Sequence, residues 1–456
     1  MKAPLVCMQS ALKEAWKNQE KNGATHSPYG SKAAALQTLA ALKKPLPNVL
    51  HFVWIGDLRT LDCEYINLWL SVNKDSSINL WHDDDCSLSQ RFHRELVHYA
   101  KTAAPYDMNQ RLIGLQNEAF HYIYARLDKD HTFNSLAVQF LQRLNIELTG
   151  SQPAPNAILT KLSGQVTLQS IPSLFSGRFA RFKKYYYYEI ILRANFACAS
   201  DIARLLILYH HGGIYIDTDT LPAIDACFPK TKALLKRYGA DNDEYATAAM
   251  AEAVLQQTRK SIGINNNIYP YLDKLAGISS SVRKTLYSSI KEEAGKIDLS
   301  SLQPLGEVFC YTNLLVQSAI PSLVGVYFSN VLGACPYSKT VSILLRSIDK
   351  RYRFLEKNDA IFARAQEDRP HHYLARLLTY RHESITGSGE VTLALTGPGL
   401  IVEVLLGLCY HILKLNEDVP PDFLTIFMQN DRYGIAFFDH TLHTPAGLIS
   451  SWMKQS

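Results

Sequence analysis

The apolar positions along this chain change period several times, and each change marks an element. Residues 49–55 (VLHFVWI) form a nearly unbroken apolar, β-branched and aromatic run between Pro47 and Gly56. Such a run predicts a buried strand. Residues 64–72 (EYINLWLSV) have helical spacing, and residues 78–82 (INLWH) predict a second strand that ends in Asp83, Asp84 and Asp85. Strand, helix, strand is a βαβ unit, so a parallel sheet begins here. Trp54 stands at the C-terminal end of the first strand, the end at which open α/β sheets bind ligands. It is either core packing or a flat surface on which a base stacks.

The most informative stretch is 201–221, DIARLLILYHHGGIYIDTDTL. Ile202, Leu205, Leu206 and Tyr209 line one helical face, and Asp201 and Arg204 lie one turn apart. Gly212 and Gly213 end the helix, because glycine accepts the left-handed C-cap geometry. Residues 214–216 predict a short buried strand that stops at Asp217-Thr218-Asp219, ahead of Pro222. Two carboxylates two residues apart project the same way if the strand is still extended. They would concentrate negative charge where the sheet meets solvent. That suits a hard divalent cation, Mg²⁺ or Mn²⁺, that also grips substrate phosphates. The plain alternative is a solvated acidic turn that caps a strand.

The rest of the pattern is mostly helical. Residues 1–44 read as a polar helical arm, and residues 88–170 and 230–300 as helical insertions between sheet elements. Arg178, Arg181, Lys183 and Lys184 precede four tyrosines at 185–188. This predicts a solvated helix face with half-buried tyrosines, with phosphate or anionic-lipid binding as the alternative. Residues 324–328 (VGVYF) predict a strand leading into Asn330, which either bonds a ligand or caps a turn. Thr396-Gly397-Pro398-Gly399 is a turn that opens an apolar helix, and residues 435–438 predict a last strand. Trp452 so near the end predicts that the tail, about 439–456, folds back as a lid over a ligand.

Composition narrows the picture only a little. A chain of 456 residues, 47% hydrophobic and 20% charged, supports one large domain with insertions or two to three domains. A net charge of +5 is too mild to indicate nucleic acid. No run of 18 apolar residues occurs, so no membrane span is predicted. The N-terminal residues lack the apolar core of a secretory signal. Eight scattered cysteines without a CxxC pair give no zinc site and suggest buried thiols in a reducing environment. Without GxxxxGK[ST], GxGxxG or GxSxG, a P-loop NTPase, a Rossmann dehydrogenase and an α/β-hydrolase find no support.

Four segments carry a resemblance. LHFVWIG, with YINLW and the strand into HDDD, is similar to the first βαβ of the glucosyltransferase domain of the large clostridial glucosylating toxins. NFACASDIARLLILYHHGGIYIDTDTLPAI resembles the core block of that family, and FSNVLGACPYS and the late ISSW are weaker matches. The resemblance implies a GT-A fold: an α/β, Rossmann-like, mixed and mostly parallel sheet flanked by helices, in a domain over about 45–456.

The same resemblance implies roles. Trp54 would stack on uracil, with Asp85 at a uridine-contacting position. Asp201 and Arg204 would bond the sugar hydroxyls, Asp217 would contact ribose and sugar, and Asp219 would ligate Mn²⁺. Ser200, Tyr215 and Asn330 join the substrate-binding set. Ser450 would help hold the metal, and Trp452 would bond the diphosphate. The family has a glutamate three residues before that Ser, where this chain has Gly447, so the remaining metal ligand is open among Asp439, His440 and His443. Ser329 and Val331 beside Asn330 lean toward UDP-N-acetylglucosamine over UDP-glucose.

The expectation is a Mn²⁺- or Mg²⁺-dependent, retaining UDP-sugar transferase, a toxin or injected effector acting in a host cytosol. Its acceptor would be a host protein, a Rho/Ras-type small GTPase by resemblance, with peripheral membrane contact as a further expectation. The alternatives are an arginine N-acetylglucosaminyltransferase effector and a non-enzymatic helical scaffold with a Ca²⁺-binding acidic turn.

Overall fold

In a computed structural model of the chain, the described residues are 43–128, 130–148, 162, 166–241, 243–259, 268–298, 302–319, 325–363, 371–413, 415, 419–429 and 437–438. Strands β1 (Lys44–Pro45), β2 (Val49–Trp54), β3 (Ser77–His82), β4 (Val166–Ser170), β5 (Gly213–Ile216), β6 (Phe309–Cys310), β7 (Leu315–Ala319), β8 (Tyr327–Ala334) and β9 (Phe437–Phe438) form two sheets. β1 and β6 pair by themselves. The other seven run β4-β3-β2-β5-β8-β7-β9. β4, β3, β2 and β5 are mutually parallel; β8 is antiparallel to β5 and β7, and β9 is parallel to β7.

Central strands read as apolar runs because both sheet faces are covered. Leu50 and Phe52 of β2 and Ile214 and Ile216 of β5 share a core with Ile66 and Trp69 of α1 (Cys63–Val72). Tyr215 and Val53 point the other way, toward Ile202 and Leu206 of the long helix Phe196–His211. Between β3 and that helix lie α2 (Ser89–Ala103), α3 (Met108–Tyr124), α4 (Phe133–Arg143) and α5 (Ala180–Tyr187), so the long helix is α6. After β5, α7 (Pro229–Arg237), α8 (Glu244–Thr258), α9 (Tyr269–Leu272) and α10 (Ser280–Ala294) build a second core over Tyr65 and Leu68 of α1. The chain then continues through α11 (Lys339–Lys357), α12 (Tyr380–Thr386), α13 (Glu390–Leu395), α14 (Pro398–Leu413) and α15 (Pro421–Met428).

The Gly212-Gly213 break is obligatory. Gly213 has φ +85°, and a Cβ there would lie 2.6 Å from the Val49 carbonyl oxygen of the neighbouring strand. Only glycine lets α6 turn directly into β5 beside β2.

Four sequence expectations need correction. Tyr185, Tyr186, Tyr187 and Tyr188 are buried, not half-solvated. Their side of the chain, α5 and a π-helical turn at Tyr188–Arg193, faces the core, and acids satisfy three of the hydroxyls. Tyr185 donates to Asp349 at 2.7 Å, Tyr186 to Asp83 at 3.0 Å and Tyr188 to Glu356 at 3.0 Å. The end of the span read as helical holds β4, an edge strand whose polar VTLQS leaves one side open to solvent. Asn330 sits inside β8, not past the end of a strand at 324–328. Finally, Glu390–His411 is long and apolar enough to cross a membrane by length and composition, with a mean hydropathy of 1.9. It is broken at Thr396 and Gly397 into α13 and α14, α14 packs on α11 and β8, and 44% of the apolar window is buried inside the protein.

Candidate active site

The C-terminal ends of β2, β3 and β5 come together, with the N-terminal half of α6 behind β5. β2 carries Trp54, aligned with His82 of β3. β3 leads into a 3-10 turn, Asp84–Cys86, that holds Asp85. The Asp83 carboxylate caps this turn by accepting from the Asp85 N–H at 3.1 Å. Burial, then the Asp84 charge, push the Asp85 carboxyl above its ordinary range, while Lys183 opposes them. The Trp54 indole N–H donates to the Asp57 carbonyl at 3.1 Å, which fixes the ring edge and leaves the ring half-buried.

β5 ends at Ile216, and the chain turns at once, because the Thr220 N–H bonds the Asp217 carbonyl at 3.0 Å. The two acids therefore stand in a turn, not on an extended strand as the spacing suggested. Two outside contacts hold this turn. The Asp217 N–H donates to the Asn330 carbonyl of β8 at 2.8 Å. The buried Trp69 indole of α1 donates to the Thr220 carbonyl at 2.8 Å. Tyr65, one turn before Trp69 on α1, is near enough that the charge of Asp219 adds to burial in raising its phenol pKa. The Tyr65/Trp69 spacing is a readable signal for this support, and the sequence reading missed it.

Around Asp217 the candidate residues form one hydrogen-bonded cluster. Arg204 bridges two acids: Nη2 donates to Asp201 Oδ1, and Nη1 lies 3.5 Å from Asp217 Oδ1. Nη1 also donates to the Ser329 carbonyl of β8 at 2.8 Å. The Tyr215 hydroxyl donates to Asp217 Oδ1 at 2.6 Å. Having spent its only proton there, Tyr215 accepts from Ser200 Oγ across 3.3 Å. Asn330 turns its side chain to Ser318 and to Thr220 Oγ1, the latter at 3.4 Å. Ser200, Asp201, Arg204, Tyr215, Asp217 and Asn330 are thus brought together. Trp54 stands at the end of the neighbouring strand β2, and Asp85 in the turn that follows β3, the next strand over.

Electrostatics separate the two acids of the turn. Burial raises the Asp217 carboxyl, while Arg204 and Tyr215 pull it back down. Its side chain stays 35% accessible, so a ligand can reach it. Asp219 is pushed up to about 7, by burial first and then by the Asp217 charge. Among the described residues it has no cationic partner. A carboxylate crowded by another and not neutralised is a ready ligand for a hard divalent cation. The described residues contain no group of three or more His, Cys, Asp or Glu side chains able to hold a metal. Ser450, Trp452, Asp439, His440, His443 and Gly447 lie outside the described residues.

Comparison with known proteins agrees with this architecture. The chain is 24% identical over 330 residues to Toxin A of Clostridium novyi, covering 67% of this chain and 14% of the toxin. It is 27% identical over 206 residues to Toxin B of Clostridioides difficile, covering 40% of this chain and 8% of the toxin. The chain thus spans a small part of the length of these relatives. Its fold superposes on the catalytic domain of alpha-toxin from Clostridium novyi with a TM-score of 0.65 at 18% identity, covering 98% of this chain and 88% of that one. The UDP-bound glycosyltransferase domain from the YGT toxin gives a TM-score of 0.58 at 17% identity, covering 89% and 82%. These neighbours carry the GT-A glycosyltransferase fold, and this chain shares it. The family profile of the TcdA/TcdB catalytic glycosyltransferase domain matches residues 48–157 and 164–386, and the chain belongs to that family.

Proposed function

We propose that this chain transfers a hexose, N-acetylglucosamine or glucose, from a UDP-sugar to a host protein, with Mn²⁺ or Mg²⁺ and with retention of configuration. The observation that carries the reading is the cluster in which Arg204 bridges Asp201 and Asp217 beside Asp219. The UDP-bound relative of the same fold supports the choice of nucleotide.

Trp54 and Asp85 would hold the uridine. Asp201 and Arg204 would bracket the sugar ring by charge-assisted hydrogen bonds. Tyr215 and Ser200 hold Asp217 in one orientation, so its free lone pairs meet the donor without rearrangement. Asp219 would hold the cation, completed by the donor's diphosphate and by Ser450, with Trp452 on the diphosphate. Held there, a divalent cation would supply positive charge to offset the negative charge on a leaving diphosphate. Residues 88–170 and 230–300 would shape acceptor choice, and the tail at 439–456 would close over the donor. The acceptor class is a Rho/Ras-type small GTPase, met in the host cytosol, with membrane contact at its surface.

Titration calorimetry with UDP tests the site. UDP should bind in the presence of Mn²⁺ and at least about tenfold more weakly in EDTA or in Asp219→Asn. Binding indifferent to both would remove the cation from the reading.

A further inference from the structure

Thr396 lies in the turn between α13 and α14 and is fully buried. Its Oγ1 is 2.7 Å from Asp201 Oδ2 and 3.2 Å from Cys198 Sγ. A threonine hydroxyl has one proton, and a carboxylate can only accept. The proton therefore goes to Asp201. Burial pushes the Cys198 thiol up to about 12, so it keeps its proton and donates to the Thr396 oxygen. Arg193 Nη1 in turn points at the same sulfur from 3.7 Å. A line of donors thus runs from Arg193 through Cys198 and Thr396 to Asp201 Oδ2. The other carboxylate oxygen accepts from Arg204.

The turn leaves this hydroxyl little freedom. A Cβ at Gly397 would lie 3.1 Å from Leu393 Cα, and one at Gly399 only 2.9 Å from the Leu393 carbonyl oxygen. Pro398 between them fixes φ at the first position of α14. One turn before Thr396, Thr392 Oγ1 accepts from Asn195 Nδ2 at 2.6 Å. Asn195 is the N-cap of α6, the helix that carries Asp201. The α13 segment is therefore bolted to α6 at two points, Asn195–Thr392 and Asp201–Thr396, four residues apart on its own side and six apart on α6.

We propose that Thr396 is a positioning residue for the donor sugar: it locks the Asp201 carboxylate so that its remaining lone pairs face the sugar hydroxyls. The inference rests on the reading of Asp201 and Arg204 as the sugar-holding pair. With one oxygen on Arg204 and the other on Thr396, the carboxylate cannot rotate about its terminal bond. Small errors in such placement cost rate more than they cost nucleotide affinity.

The test uses the full chain, Thr396→Val and Thr396→Ser, with UDP-sugar hydrolysis in Mn²⁺ and UDP binding measured on each. Valine keeps the shape and loses the donor; serine keeps the donor and loses the methyl group. Thr396→Val should lower kcat about tenfold or more, equivalent to ~1.4 kcal/mol, with the Kd for UDP unchanged within about twofold. Thr396→Ser should return kcat to within about threefold of wild type. A fully active Thr396→Val overturns this inference alone. So does a serine variant as slow as the valine one, which would assign the effect to packing of the methyl group. UDP binding lost in step with kcat overturns it as well, because the damage would then be general. A wild-type chain inert toward every UDP-sugar overturns the transferase reading and this inference with it.

Discussion

The Tyr215 hydroxyl donates a 2.6 Å hydrogen bond to Asp217 Oδ1, the oxygen that Arg204 Nη1 also faces at 3.5 Å. Tyr215 is buried and its phenol pKa is raised, so it stays a donor at any working pH. One carboxylate oxygen is thus committed to the protein and the other is left for a ligand. A hydrogen bond to a charged group contributes about 1.5–3 kcal/mol. Tyr215→Phe should therefore lower UDP-sugar turnover by roughly ten- to a hundredfold while the protein remains folded. Steady-state kinetics alongside thermal unfolding check this; wild-type turnover in the phenylalanine variant would remove Tyr215 from the site.

Arg204 makes three contacts from two nitrogens, to Asp201, Asp217 and the Ser329 carbonyl. A lysine has one nitrogen and cannot reach all three with the same geometry. Arg204→Lys should lower kcat by about a hundredfold with the KM for donor changed far less, the pattern of a lost transition-state contact. A variant that loses KM and keeps kcat would instead make Arg204 a simple anchor.

Gly213 carries the junction of α6 and β5. Its φ of +85° and the 2.6 Å approach to the Val49 oxygen leave no room for a methyl group. Gly213→Ala should cost about 2–4 kcal/mol of stability and shift the Asp217 turn with it. Chemical denaturation reads the loss directly; an alanine variant of unchanged stability would contradict the tight junction.

Two histidines are buried neutral. Burial lowers His51 to about 4, though its Nε2 bonds the Gly212 carbonyl at 3.0 Å, and burial lowers His93 to about 4 beside the Ile190 carbonyl at 2.5 Å. In the unfolded chain each titrates near 6.5. Between these values the unfolded state binds more protons, so stability rises with pH there. The contribution is present above 6.5 and is lost as pH falls through about 4. It is worth on the order of 3 kcal/mol per group. Denaturant titrations from pH 7 to pH 4.5 should show this fall, and His51→Gln should flatten part of it. Equal slopes in the two proteins would mean that His51 is already charged in the fold.

The sequence made three of the four parallel strands legible, because β2, α1, β3, α6 and β5 each carry a clear apolar period. Asp217 and Asp219 were legible because they follow the end of an apolar strand, and Asp201 and Arg204 because they are charged positions one turn apart inside an apolar helix. β4 was not, since VTLQS is a polar edge strand with little periodic signal. The four tyrosines misled because a hydroxyl-rich run looks solvated, while here Asp83, Asp349 and Glu356 satisfy three of the hydroxyls inside the core. Thr396 was visible only as a turn residue. Its link to Asp201 spans 195 positions, which no local pattern reports.

The central claim is that the Asp217–Asp219 turn activates a UDP-sugar. Its most direct test is hydrolysis of UDP-glucose, UDP-N-acetylglucosamine and UDP-galactose in Mn²⁺ without acceptor, with Asp217→Asn/Asp219→Asn as the control. The account predicts turnover of one donor, with N-acetylglucosamine favoured by Ser329 and Val331 beside Asn330, and its loss in the control. No turnover of any donor, together with no calorimetric binding of UDP, would contradict it.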